Sequence, residues 1–235
     1  MGFQVLYSDT DSIFLIYKSK KDVLEFLEEI NTKLPEKMEL ELEGFYPRGV
    51  FVSKKAEEKG AKKKYALIGE DGRFKIRGFE LVRRDWSEIA KTTQLHVLEA
   101  ILKEGSKQKA VEIVRKTIER IKTGNVEMSE LAIETQLNKD TESYEIKSPE
   151  LSAAAKAIKR GVPIQKGSVI SFIITKKGNS ISEKAELAEF ARDYDADYYI
   201  NHQILPAVMK ILKELGYDEY DLKVGGRQRG LGDFI

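Results

Sequence analysis

Residues 5–17, VLYSDTDSIFLIY, decide how the first part of the chain is read. The runs FQVLY and SIFLIY are apolar, β-branched and aromatic, and SDTD separates them, a pattern that predicts an antiparallel hairpin. Val5, Leu6, Ile13, Phe14, Leu15 and Ile16 do not alternate with polar residues, so the hairpin is expected to be buried on both faces. Asp9 and Asp11 then sit at the end of a buried sheet. Aspartates are ordinary turn residues, so the pair alone carries little information; its apolar setting carries more. Two carboxylates held close together raise each other's pKa unless a cation neutralises them. Mg²⁺ takes such oxygens while keeping positions for water and phosphate, and two ions ~4 Å apart clamp an in-line phosphoryl displacement. No other strand within residues 1–52 offers a third buried carboxylate.

Composition narrows the alternatives. The chain has 235 residues, 41% hydrophobic and 34% charged, which fits one large or two modest folded domains. No apolar run approaches a membrane span and the first residues lack a signal-peptide pattern, so an intracellular protein with no membrane partner is expected. There is no cysteine and there are only two histidines, His96 and His202, so any metal is expected on oxygen ligands. The formal charge of +1 hides a local excess. Residues 53–84 carry eleven Lys and Arg against five acids, a footprint suited to a polyanion.

Further along, KKDVLEFLEEINTKL repeats Val23, Leu27, Ile30 and Leu34 at helical spacing and ends before Pro35. MELELEG alternates Met38, Leu40 and Leu42 with Glu39, Glu41 and Glu43, predicting a strand with one wet face. VFVS, KYALIG and RFKIRGFELV, the last two joined by a turn at EDGR, supply further strands. After Trp86 the pattern becomes helical. WSEIAKTTQLHVLEAILKEG and KQKAVEIVRKTIERIKTG both end in Gly, and a third helix starts at Ser148–Pro149 and runs to Gly161. SVISFIIT reads as a strand, and a helix over about 196–215 contains Pro206, predicting a kink or break. The fold class is therefore α+β: an antiparallel sheet with a helix over 1–85, a mostly helical domain over 86–224, and a glycine-rich tail over 225–235, expected to be mobile when free.

In AKKKYALI, residues 61–68, Lys62 and Lys64 point one way and Lys63 and Tyr65 the other. Lysines on a strand guard an edge against aggregation; they also meet a phosphate backbone, each contact adding about −0.9 to the slope of log affinity against log salt on duplex DNA.

Taken together, these segments resemble the family B DNA polymerases, specifically the last third of an archaeal one. YSDTDS (7–12) is similar to the family's Y-G-D-T-D-S motif, which carries metal-binding aspartates of the palm. KKKY (62–65) resembles the K-K-R-Y element that holds primer and template. RGFELVRRDWSEIAKTTQ (77–94) resembles the junction from palm to thumb, and DADYYINHQILPAVMKIL (195–212) a signature within the thumb. The resemblance covers nearly the whole chain in the family's order.

The resemblance implies that Asp9 and Asp11 face two Mg²⁺ ions, and that Lys62, Lys63, Lys64, Tyr65, Arg83 and Arg84 touch primer-template DNA. Trp86, Tyr198 and Tyr199 are expected to be core. Ser8 stands where the family has glycine, Glu150 where a histidine is expected, and KKAEEKG (54–60) looks like an extension. The family's other palm motif, its fingers and its exonuclease have no counterpart here. The resemblance therefore implies a small catalytic subunit of a split DNA-directed DNA polymerase, active in replication on deoxynucleoside triphosphates and associated with the nucleoid. A larger chain would carry exonuclease, fingers and remaining palm, and share a carboxylate with the metals. Gln228, Leu231, Phe234 and Ile235 resemble a sliding-clamp-binding peptide, which one helical turn would form into an apolar plug. The competing reading is a non-catalytic DNA-binding and clamp-tethering subunit. Met1-Gly2-Phe3 is compatible with a natural start, and a piece of a longer chain is the other origin.

Overall fold

The computed structural model describes residues 2–35, 37–54, 57–138 and 148–223, with the side chains of 53–63 left aside. It is a mixed helix and antiparallel-sheet protein that divides into two compact units, Met1–Arg77 and Gly78–Ile235. The boundary expected near residue 86 lies inside the second unit.

In the first unit, strands β1 (Gln4–Ser8) and β2 (Ile13–Ile16) form the antiparallel hairpin. The hairpin is not buried on both faces. Leu6 is 54% and Ile13 48% exposed, and Val5 and Ile16 are similar. The reason is stoichiometric: two strands make a ribbon, and among the described residues no third strand pairs with either edge. Helix α1 (Lys20–Asn31) is capped by the Ser19 hydroxyl, which accepts from the Asp22 N–H, and its Phe26 ring packs on Phe3, the residue before β1.

MELELEG does not form the expected strand, and Met38, Leu40 and Leu42 are exposed. Instead the Asn31 amide accepts from the Leu40 N–H and donates to the Leu40 carbonyl, both at 2.9 Å, standing in for one rung of a ladder. Strands β3 (Arg48–Lys54), β4 (Glu57–Ile68) and β5 (Phe74–Arg77) form a three-stranded antiparallel sheet. Gly72, at φ +77°, supplies the left-handed residue of the EDGR turn between β4 and β5. The strand expected over RFKIRGFELV stops at Arg77, and Glu80–Val82 form a 3₁₀ turn.

The second unit is built on α2 (Glu88–Leu102) and α3 (Lys107–Thr123), the latter ended by Gly124 in the left-handed conformation. A short helix, α4 (Met128–Leu131), leads to β6 (Ile133–Gln136). Then come α5 (Pro149–Lys159), β7 (Val169–Ile174), α6 (Ile181–Lys184) and β8 (Ala185–Leu187). Strands β6, β7 and β8 form an antiparallel sheet in that order, of which the sequence reading had found only β7. The final helical stretch is α7 (Ala196–Tyr198), a π-helical turn (Tyr199–Ile204), α8 (Leu205–Leu212) and a 3₁₀ turn, followed by α9 (Glu219–Lys223). Pro206 has no N–H for the carbonyl four residues back, and its ring crowds that carbonyl. The chain absorbs both effects in the π turn rather than breaking the helix.

The core of this unit is dense. Val97, Leu98, Val114, Ile204 and Ile211 are fully buried, as is Tyr199, whose hydroxyl accepts the Ile174 N–H at 3.1 Å. Tyr199 is thus core, as expected. Burial pushes its hydroxyl pKa far up, and the Ile174 N–H opposes that rise.

Candidate active site

The turn between β1 and β2 is tied within itself. The Asp9 N–H donates to the Ser12 carbonyl at 2.8 Å, and Asp9 Oδ1 accepts from the Thr10 N–H at 2.9 Å. Asp9 is half-buried and Asp11 exposed. Among the described residues no group of three or more His, Asp or Glu side chains could hold a metal ion. The two aspartates carry hard oxygen donors of the kind Mg²⁺ takes, fewer than such an ion's full coordination requires.

What fixes this turn is a cluster of four rings that the sequence reading did not identify. Tyr7 of β1, Phe14 of β2, Phe51 of β3 and Tyr65 of β4 all touch one another, with centroids 5.1–5.9 Å apart. Each such pair is worth about 0.5–1.5 kcal/mol beyond area burial. A one-residue bulge at Leu6 makes this possible: Val5 pairs with Leu15, and Tyr7 then pairs with Phe14. The signal in the sequence was an aromatic residue in each of four strands, which becomes a cluster only once strand pairing is known.

Tyr65 therefore links the aspartate turn to the KKKY strand. It is buried, and burial pushes its hydroxyl above the ordinary tyrosine range. Arg77 opposes that push, while Glu43, Tyr7 and Asp9 add to it. The Tyr7 and Phe14 rings, from the two strands that flank the aspartate turn, both touch Tyr65. Lys64 is half-buried. Lys62 and Lys63 lie on the β4 backbone, but their side chains fall outside the described residues, as do the KKAEEKG side chains and the tail residues Gln228, Leu231, Phe234 and Ile235.

Arg83 and Arg84 belong to the second unit. Arg83 donates to Asp85 through Nε at 2.9 Å and Nη2 at 2.6 Å, and that bonded carboxylate raises the guanidinium pKa. Arg84 is exposed. Trp86 and Tyr198 are half-buried. No helix among the described residues is long and apolar enough to cross a membrane.

The hairpin that bears the paired aspartates is thus anchored by aromatic rings to a lysine-rich strand, and a helical unit follows. The sequence profile "DNA polymerase family B" matches residues 1–215. The DNA polymerase of Methanocaldococcus jannaschii is 44% identical over 243 residues, covering 100% of this chain and 14% of the relative. That of Thermococcus gorgonarius is 44% identical over 245 residues, covering 100% of this chain and 31% of the relative. The solved family B DNA polymerase of the hyperthermophilic archaeon Pyrobaculum calidifontis superposes with a TM-score of 0.72 at 31% identity, over 93% of this chain and 28% of that one. The chain belongs to the family B DNA polymerases. It spans less than a third of the length of these relatives.

Proposed function

We propose that this chain is the small catalytic subunit of a two-chain DNA-directed DNA polymerase in replication. The sheet unit would be the later part of a palm and the helical unit a thumb. The observation that carries the reading is the ring cluster, which joins the aspartate turn to the KKKY strand within one compact unit. Family membership over the whole chain supports it.

In this reading Asp9 and Asp11 hold Mg²⁺, with a carboxylate of a larger chain completing the set. When bound, the ions lower the cost of charge on the attacking 3′ oxygen and on the departing pyrophosphate. The protein's own part is positional. Tyr7, Phe14, Phe51 and Tyr65 hold the turn, so the two carboxylates need no reorganisation before reaction. Lys62, Lys63 and Lys64 meet the primer-template backbone, Tyr65 backs that strand, and Arg83 and Arg84, in the helical unit, also touch the DNA. The exposed apolar residues of β1 and β2 supply a surface for the larger chain, which brings fingers, exonuclease and the remaining palm. Gln228, Leu231, Phe234 and Ile235 would tether the complex to a sliding clamp.

Primer extension tests this with the chain alone, with a co-purified larger chain, and with that complex carrying Asp11→Asn. The reading expects activity only in the second case. Activity of the chain alone, or full activity of the substituted complex, overturns it.

A further inference from the structure

The segment from Glu80 to Ser87 is pinned at both ends by glutamine side chains, and between the pins it carries Arg83 and Arg84. At the first pin Gln94 of α2 accepts the Leu81 N–H through Oε1 at 2.9 Å. Its Nε2 donates to Glu80 Oε2 at 2.8 Å and to the Ala207 carbonyl. Lys210 Nζ reaches Glu80 Oε1 at 3.1 Å, so a carboxylate in a residue only 3% exposed is held from two helices. At the second pin Gln203 Oε1 accepts both the Ser87 N–H, at 2.9 Å, and the Ser87 hydroxyl, at 3.0 Å. Gln203 lies in the π-helical turn that Pro206 brings about, and such turns are frequent at functional sites.

Between the pins the loop is also bonded within itself. The Arg83 N–H donates to the Glu80 carbonyl at 2.9 Å, and Asp85 takes the Nε/Nη2 edge of the Arg83 guanidinium, fixing its plane and turning its remaining N–H groups to other acceptors. Burying two amides and a carboxylate gains no cohesion over apolar packing of the same volume. Their hydrogen bonds do give direction, and they fix both ends of a loop whose residues Val82 to Asp85 are exposed.

We propose that Gln94 and Gln203 are positioning residues that hold the Arg83–Arg84 loop against a nucleic-acid phosphate backbone. This rests on the duplex-binding reading above. The test measures the dissociation constant of a primed DNA duplex from the two-chain complex across a range of salt. The variants are Gln203→Met, Gln203→Glu and Arg83→Ala/Arg84→Ala, with thermal melts alongside. Gln203→Met removes the acceptor at nearly constant volume and is expected to weaken binding about 3- to 10-fold and flatten the salt slope by about one phosphate contact, ~0.9. Gln203→Glu keeps the accepting oxygen and is expected to recover part of both, the buried charge costing the rest. In the background lacking both arginines, Gln203→Met is expected to add nothing, because the pin acts through them. If Gln203→Met does not fold, Gln94→Met carries the same comparison. A lowered melting temperature with unchanged affinity and slope overturns the proposal, as does an equal loss in the arginine-free background. A wild-type complex that binds no primed duplex overturns the duplex-binding reading itself, a result distinct from either.

Discussion

In the helical unit the apolar residues of α2, α3 and α8 turn inward, and Val97, Val114 and Ile211 reach complete burial; in the sheet unit no residue of β1, β2 or α1 is fully buried, and Val5, Leu6, Ile13 and Ile16 remain about half exposed. Both units draw on the same kinds of residue, so composition does not explain the contrast. The helical unit encloses its apolar faces among its own elements. The hairpin has only a four-ring cluster on one side and no paired strand beyond either edge among the described residues. A region that closes its own core owes its stability to that core, whereas a half-covered ribbon places its remaining apolar surface at the disposal of another molecule.

The sharpest way to break the contrast is chemical. Asp11→Asn in the two-chain complex is expected to reduce primer extension on the order of 10³-fold or more, because groups acting directly at a reacting centre lose rate on that scale. Circular-dichroism melts of the same variant should be unchanged, since Asp11 is exposed and, among the described residues, engages no hydrogen bond. Next in size is a packing comparison. Leu98→Ala, in the closed core, is expected to cost about 2–5 kcal/mol by denaturant unfolding, while Leu6→Ala in the free chain costs under about 1 kcal/mol. Equal costs would mean that the hairpin is as enclosed as the core. Addition of the larger chain should widen the Leu6→Ala penalty when affinity between the chains is measured.

A smaller effect is expected at Tyr199. Tyr199→Phe leaves the buried Ile174 N–H without its acceptor and should cost about 1–3 kcal/mol, read from the same unfolding curves. The smallest is a pH effect in the same unit. Burial raises the Asp195 pKa, but the Lys184 ammonium at 2.7 Å and the Tyr198 N–H outweigh it, so the net value falls below the ordinary 3.8. A carboxyl depressed by folding contributes stability that is present above its unfolded value and is lost as pH falls through the folded one. Stability of the wild type should therefore decline below about pH 4, and Asp195→Asn should flatten that acid limb while leaving the sheet unit's response unchanged.

The helices were legible because several local signals agreed. Apolar spacing, Ser148–Pro149 at a start, and Gly124 and Gly161 at ends all point the same way along one stretch of chain. The strands were legible only where apolar residues ran together. IETQ and AEL are too short and too polar to announce β6 and β8, and MELELEG has the alternation of a strand without a neighbour to pair with, a property no local pattern contains. At the candidate site, motif and charge single out Asp9, Asp11 and the KKKY segment. The ring cluster joining them depends on pairing among four strands and could not be read locally. Gln94 was closer to view, since it falls among Ala90, Val97 and Leu98 on the buried face of α2, and a polar residue on an apolar helical face signals a buried partner.

The bulge at Leu6 has one more implication, for comparing lengths among relatives. A regular strand would turn Val5 and Tyr7 to the same side; here their pairings with Leu15 and Phe14 set them on opposite sides. One inserted residue has reversed the parity of everything before it. A homologue one residue shorter between Val5 and the aspartate turn would have to exchange the characters of its preceding positions, or lose either its aromatic anchor or its outer apolar face. Chain length and hydrophobic phase at this point should therefore change together, so that an alignment gap there marks a compensated switch rather than a neutral deletion.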